Sequence, residues 1–160
     1  LTRARFCAGD PAVGARFEEI RCEILCQPRD LARLREEVVA MRRKMLDAHA
    51  SASPSEFNLK HDPGGIIDVE FIVQYLVLGH AHRHRRLTGN LGNIALLRIA
   101  AELGLIPADQ ATAAGDAYRE YRRLQHAKRL SANPRGRVDR DGVARRIAAV
   151  NVLWQTVFGA

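Results

Sequence analysis

Aromatic residues are scarce in this sequence, at 6% of 160 positions, and cysteine and methionine are scarcer, at three and two. Few aromatic residues alongside abundant Ala, Leu and Arg favour helix over sheet. The cysteines, Cys7, Cys22 and Cys26, are odd in number in a long chain, which excludes a disulfide framework and makes reduced thiols the expectation. Cys22 and Cys26 sit four apart, but no His or third Cys nearby completes a zinc set, so they read as small apolar side chains. No apolar stretch reaches the roughly 18 uncharged residues that a membrane helix needs. The opening Leu1-Thr2-Arg3-Ala4-Arg5 has neither an initiator Met nor an apolar signal region, so it reads as the cut edge of a longer cytoplasmic protein. Gly-x-Ser-x-Gly, a Walker loop and Cys-x-x-Cys are all missing, and the chain by itself does not read as an enzyme.

Hydrophobic residues at 47% and charged ones at 27% give the balance of a globular chain long enough to bury a core. The formal charge of +7 fits an acidic partner (nucleic acid, phosphate or an acidic protein surface) or simply a solvated basic surface.

Six helices are expected. Asp10-Pro11 starts the first, with Asp as N-cap and Pro in the first turn, and Val13, Phe17, Ile20 and Ile24 form its apolar stripe. Pro28 ends it. Asp30 caps the second, where Leu31, Leu34, Val38, Met41 and Met45 should face inward and Arg33, Arg35, Glu36, Glu37, Arg42 and Arg43 outward. The pair reads as an antiparallel helical hairpin. Residues 49–63, with Ser51, Ser53, Pro54, Ser55, Asp62 and Pro63, read as a loop and the one stretch expected to be mobile. A strongly apolar run of about 65–82 predicts a central helix buried on most sides. Leu91, Ile94, Leu97 and Ala101 mark a fourth helix stopped by Gly104, and Pro107 opens a fifth carrying Ala111, Ala114, Tyr118, Tyr121 and Leu124. After a turn at Asn133-Pro134-Arg135-Gly136, Val143, Ile147, Val150, Trp154 and Val157 mark the sixth. No segment alternates with period two, so the expected fold is all-α, one helical bundle spanning 1–160.

Three clusters are candidates for chemistry. In Lys60-x-x-x-Gly64-Gly65-x-x-Asp68-x-Glu70, paired glycines before a helix let backbone N–H groups approach an anion, whereas acids in the first turns suit the helix dipole with no further role. Asp68 and Glu70 are separated by about 200° around the helix and so do not face each other, while Glu70 and Gln74 share a face. As polar residues in an apolar helix, Glu70 and Gln74 each require a partner. His80-x-His82-x-His84 beside Arg83, Arg85 and Arg86 reads as dipole-compensating charge at a helix C-terminus, or as a phosphate or nucleic-acid contact. Asp139-x-Asp141 matches the metal-binding pair of nucleotidyltransferases literally, but no Gly-Ser precedes it, and a capping cluster before the sixth helix is the simpler reading.

The run Asn58-Leu59-Lys60-His61-Asp62-Pro63-Gly64-Gly65-Ile66-Ile67-Asp68-Val69-Glu70-Phe71-Ile72-Val73-Gln74-Tyr75-Leu76-Val77-Leu78 resembles a signature of the glutamine synthetase adenylyltransferase/adenylyl-removing family. Thr2-Arg3-Ala4-Arg5 with Gly9-Asp10, Arg29-Asp30, Arg42-x-Lys44-Met45 and Tyr118-x-x-x-Arg122-x-Leu124-x-His126 are similar to the same family, so the likeness covers nearly the whole chain. PII uridylyltransferases carry a related Lys…Gly-Gly-x-x-Asp segment, but Glu70-Phe71 and Gln74-Tyr75 favour the adenylyltransferase. The resemblance implies a helical domain following a nucleotidyltransferase domain, with residues 1–9 the remnant of the connection. The ending Val150-x-x-Leu153-Trp154-x-x-Val157-Phe158-Gly159 is similar to the family's C-terminus, hence to its second half, which moves AMP from ATP to a tyrosine of glutamine synthetase under control of glutamine and the PII protein. ATP and Mg²⁺ would be held upstream, leaving this fragment with no cofactor, no metal and no catalytic residue. Lys60, Gly64, Gly65, Asp68, Glu70 and Gln74, with Arg3 and Arg5, are then expected to form a polar cluster at the interface with the catalytic domain. A nucleic-acid-binding module using Arg83, Arg85, Arg86, Arg135 and Arg137, and the matching domain of a PII uridylyltransferase, are the alternatives. The first lacks aromatic residues for stacking among its basic ones.

Overall fold

The computed structural model describes residues 1–49, 53–130 and 136–159, and among these it is an all-α bundle. The helices are α1 (Pro11–Leu25), α2 (Leu31–His49), α3 (Ile66–His80), α4 (Asn93–Glu102), α5 (Ala108–Leu130) and α6 (Ala144–Phe158). Tight 3₁₀ turns at Arg85–Thr88 and Asp141–Val143 precede α4 and α6. The starts follow local chemistry: the Asp10 carboxylate accepts the Ala12 N–H at 2.7 Å, and that of Asp30 accepts those of Ala32 and Arg33 at 2.9 and 3.2 Å. Gly104 and Gly159, with φ of 70° and 48°, end α4 and α6 in the left-handed conformation that glycine adopts without steric cost.

The centre is α3, with ten of its 15 residues buried and α2, α4, α5 and α6 all packed on it. Helices α5 and α6 form one wall and α4 lies against α5. Phe57, Leu59, Ile72, Leu97, Tyr121, Leu153 and Phe158 are fully buried and fill the space between these elements.

The stretch 53–65 is a built piece of the core, not a loose connection. Phe57 and Leu59 have no exposed surface, and Glu56–Asn58 (β1) pairs antiparallel with Arg137–Asp139 (β2), Phe57 opposite Val138. Two strands of three residues are too short for a period-two pattern to register, which is why the sequence did not announce them. Residues 50–52 and the turn positions Asn133, Pro134 and Arg135 lie outside the described residues.

On α1 and α2 the inward faces differ from the apolar stripes. Val13, Ile20, Leu31 and Met41 are exposed, whereas Arg21 and Arg42 are 2% and 3% exposed. Nor do α1 and α2 pack side by side as a hairpin. Helix α1 instead reaches the turn after α3: the Arg21 guanidinium donates to the Thr88 carbonyl, and the Cys26 thiol to that of Ala81. Arg29 ties its C-terminus down by donating to the carbonyls of Ile24, Leu25 and Leu78. Arg35 donates to the carbonyls of Phe158 and Gly159 at the end of α6, where a cation complements the helix dipole. These four arginines are therefore consumed inside the fold, while most of the 25 basic residues stay at the surface.

Arg42 decides how α2 sits. Its Nε donates to the Asp68 carboxylate, and Nη2 donates to the carbonyls of His61 and Asp62 at 2.8 and 3.3 Å. Asp68 also accepts the Gly64 N–H at 2.6 Å. Burial pushes the Asp68 carboxyl above its ordinary value, and the bonds from Arg42 and Gly64 only partly offset it. A guanidinium cannot shed its charge, but a carboxylate can take up a proton. We predict that Asp68→Ala, which strands a buried cation, costs about 3–5 kcal/mol in urea denaturation at neutral pH, and no less as the pH falls. Arg42→Ala costs a similar amount at neutral pH, but its penalty shrinks as pH falls towards the carboxyl range and Asp68 becomes neutral.

A second pH effect comes from His61, stacked on His49 with ring centroids 4.0 Å apart. Burial, and then the neighbouring His49, Lys60 and Arg42 charges, hold the His61 imidazole below its ordinary 6.5. The unfolded chain therefore takes up that proton first, so stability is full above pH 6.5 and declines as the pH falls below it. His61→Gln should flatten this part of the stability–pH curve.

Candidate functional site

Two residues on one helix meet opposite fates. The turn from Asp68 to Glu70 carries the second carboxylate to the far side of α3, as the helical period requires. Asp68 lies inside, against Arg42, while the Glu70 side chain keeps 17% of its surface and forms an ion pair with Arg3 at 3.0 Å. The Tyr118 hydroxyl donates to Glu70 at 3.4 Å, a long contact at the limit of hydrogen bonding. Glu70 thus joins three parts of the chain: the N-terminal segment, α3 and α5.

Gln74, one turn further along α3, is half-buried and lines a cavity of about 500 Å³ together with Arg3, Arg5 and Tyr118. Glu70, Gln74, Arg3 and Arg5 are therefore brought to one edge. Lys60 is not joined to them by any ion pair among the described residues; its side chain is exposed, and its carbonyl accepts the Ile67 N–H at the start of α3.

The paired glycines serve packing. A Cβ on Gly64, which has φ of 86°, would lie 2.8 Å from the Ile147 side chain, and one on Gly65 would lie 2.8 Å from the Leu59 carbonyl. The N–H groups of Gly64, Gly65, Ile66 and Ile67 are donated to Asp68, Asp62, Leu59 and Lys60 respectively, so the amides that open α3 are already used within the chain.

The remaining candidates do not converge. His80 stands edge-on to Tyr75 at 6.5 Å, with burial and then the neighbouring His84, His82 and Arg83 charges keeping its imidazole below the ordinary value. Arg86 pairs with Glu102. Asp139 closes β2 and accepts the Gly142 N–H at 3.0 Å, which makes it a turn-capping group as its place before α6 suggested. Among the described residues no three of His, Cys, Asp or Glu gather as a metal-binding group.

Sequence reading placed Glu70 and Gln74 on a shared polar face but missed Arg42, whose partner lies on another helix and leaves no local signal. Tyr118 and Arg122 were legible only as a motif, although four-residue spacing puts both on the face of α5 that borders the cavity. Burial, and then the Glu70 charge, raise the Tyr118 phenol above its ordinary value. Glu70→Gln should therefore lower the pH at which Tyr118 ionises, read from its ultraviolet absorbance. Arg3 is 60% exposed, so stability should change by no more than about 1 kcal/mol.

The family model described as GlnD PII-uridylyltransferase matches residues 32–150, from α2 into α6. A bifunctional glutamine synthetase adenylyltransferase/adenylyl-removing enzyme of Aromatoleum aromaticum is 64% identical over the whole chain, which covers 17% of that protein. Enzymes of the same description from Bordetella bronchiseptica and Nitrosomonas eutropha are 57% and 54% identical over 98% and 99% of the chain, covering 17% and 18% of theirs. The chain thus spans under a fifth of the length of these relatives. It belongs to the family of bifunctional glutamine synthetase adenylyltransferase/adenylyl-removing enzymes, in a stretch that the PII-uridylyltransferase model also describes.

Proposed function

We propose that this chain is the helical domain of an enzyme that attaches AMP to glutamine synthetase and removes it in nitrogen regulation, and that it completes or regulates an adjoining nucleotidyltransferase domain. In this reading ATP and Mg²⁺ are bound by that other domain, residues 1–9 form the connection to it, and the PII protein is a regulatory partner in the cytoplasm. The observation that carries the proposal is the Arg3–Glu70 ion pair. It fastens the N-terminal segment to the one carboxylate that the central helix presents at its outer edge. The Val13 and Ile20 side chains of α1, with Phe6, also leave apolar surface uncovered in the N-terminal part of the chain, as a covered interface would require.

The uridylyltransferase reading is supported by the family model across residues 32–150, but the relatives at 54–64% identity favour the adenylyltransferase. A nucleic-acid module draws less support, because of the arginines it would use Arg86 and Arg137 are paired with Glu102 and Glu56, although Arg83 and Arg85 are exposed.

We predict that the isolated chain transfers no AMP from ATP to glutamine synthetase. In the longer protein, Lys60→Ala and Glu70→Ala should each lower adenylylation at least several-fold while moving the melting temperature by no more than a few degrees. Unchanged activity in both variants would reduce the cluster to a structural feature.

A further inference from the structure

The cavity beside the outer edge of α3 has a chemistry that docking alone does not explain. Its floor is apolar, formed by Val73 and Val77 of α3 with Ile94 and Leu96 of α4. Its rim is basic, with Arg3, Arg5 and Arg122 lining it and no acidic residue among the lining groups. Glu70, just outside the lining, neutralises Arg3. Arg5 has no ion-pair partner among the described residues, and the Arg122 guanidinium reaches only the neutral Gln125 amide, at 3.3 Å.

Two guanidinium groups without an ion pair line one cavity, and a shared anion would neutralise both. The contrast with the other arginine-rich hollow, between α5 and α6, is informative. There Asp116 and Glu120 stand in the lining and pair with Arg119 and Arg123, although Arg145 and Arg146, which also line it, have no ion pair among the described residues.

We propose that this cavity is a binding site for a small organic anion, a carboxylate or a phosphate ester. Its oxygens are held by the guanidinium forks of Arg5 and Arg122, and its carbon body rests on the apolar floor. Guanidinium groups present paired donors matched to either oxyanion, and a volume of about 500 Å³ is that of a small-molecule site. The half-buried amides of Gln74 and Asn93, with the Tyr118 hydroxyl at the rim, supply polar groups to orient the ligand. Every residue named lies within this chain, so anion binding is measured on it apart from the proposed docking of a catalytic domain, although that docking would use the same edge.

The test is thermal melting of the chain in succinate or in glycerol 3-phosphate, each against sodium chloride of equal ionic strength, with amide NMR of the same samples. One or both anions at about 20 mM should raise the melting temperature by roughly 3 °C, and the arm that responds identifies the ligand's head group. The side-chain amide resonances of Gln74 and Asn93 should shift, while the indole N–H of Trp154, which does not line the cavity, should stay in place. The double variant Arg5→Ala/Arg122→Ala removes only exposed side chains and should melt normally in chloride but lose the response. No stabilisation by either anion would overturn the proposal, as would equal stabilisation of the double variant.

Discussion

The buried pairing of Arg42 with Asp68 is the interaction on which the arrangement of this bundle depends. It joins the middle of α2 to the first turn of α3, and through the carbonyls of His61 and Asp62 it holds the segment that enters α3. That segment carries Phe57 and Leu59 into the core and pairs with the strand leading to α6. One guanidinium thus sets the relative positions of three helices. Taking both charges out of water is costly, and the raised Asp68 carboxyl records that cost. What the pair contributes is a single register: any sliding of α2 along α3 would leave a full charge buried without its partner.

This constraint explains which parts of the fold could be read from the sequence. Helix boundaries are local matters of caps and breakers, and Asp10-Pro11, Asp30, Gly104 and Pro107 located them well. The central helix was legible because no amphipathic alternative accommodates so many consecutive apolar residues. Orientation on α1 and α2 was not legible. Periodicity turns Met41 inward and Arg42 outward, and the structure does the reverse because a carboxylate 26 positions away supplies the compensation. Likewise Val13 and Ile20 stay exposed while Arg21 is buried against the Thr88 carbonyl.

The candidate site divides along the same physical line. Helical geometry separates Asp68 from Glu70, and that separation was readable from spacing alone. Which of the two is structural was not readable, because it depends on what the rest of the fold brings to each side. Asp68 meets a buried cation, whereas Glu70 meets an exposed arginine of the N-terminal segment and a half-buried tyrosine. The signature run of sequence therefore combines two roles. Its glycines and Asp68 build the entrance to α3, and Glu70 and Gln74 form the edge that faces outward.

The proposed function requires this outward edge to meet the remainder of a longer enzyme. The most direct measurement places a photo-crosslinking amino acid at Gln74 in the full-length protein, with a control at the exposed Val152 of α6. Docking at this edge would give an intramolecular crosslink from position 74 to the nucleotidyltransferase domain and none from 152. A crosslink from 152 alone, or from neither position, would contradict it.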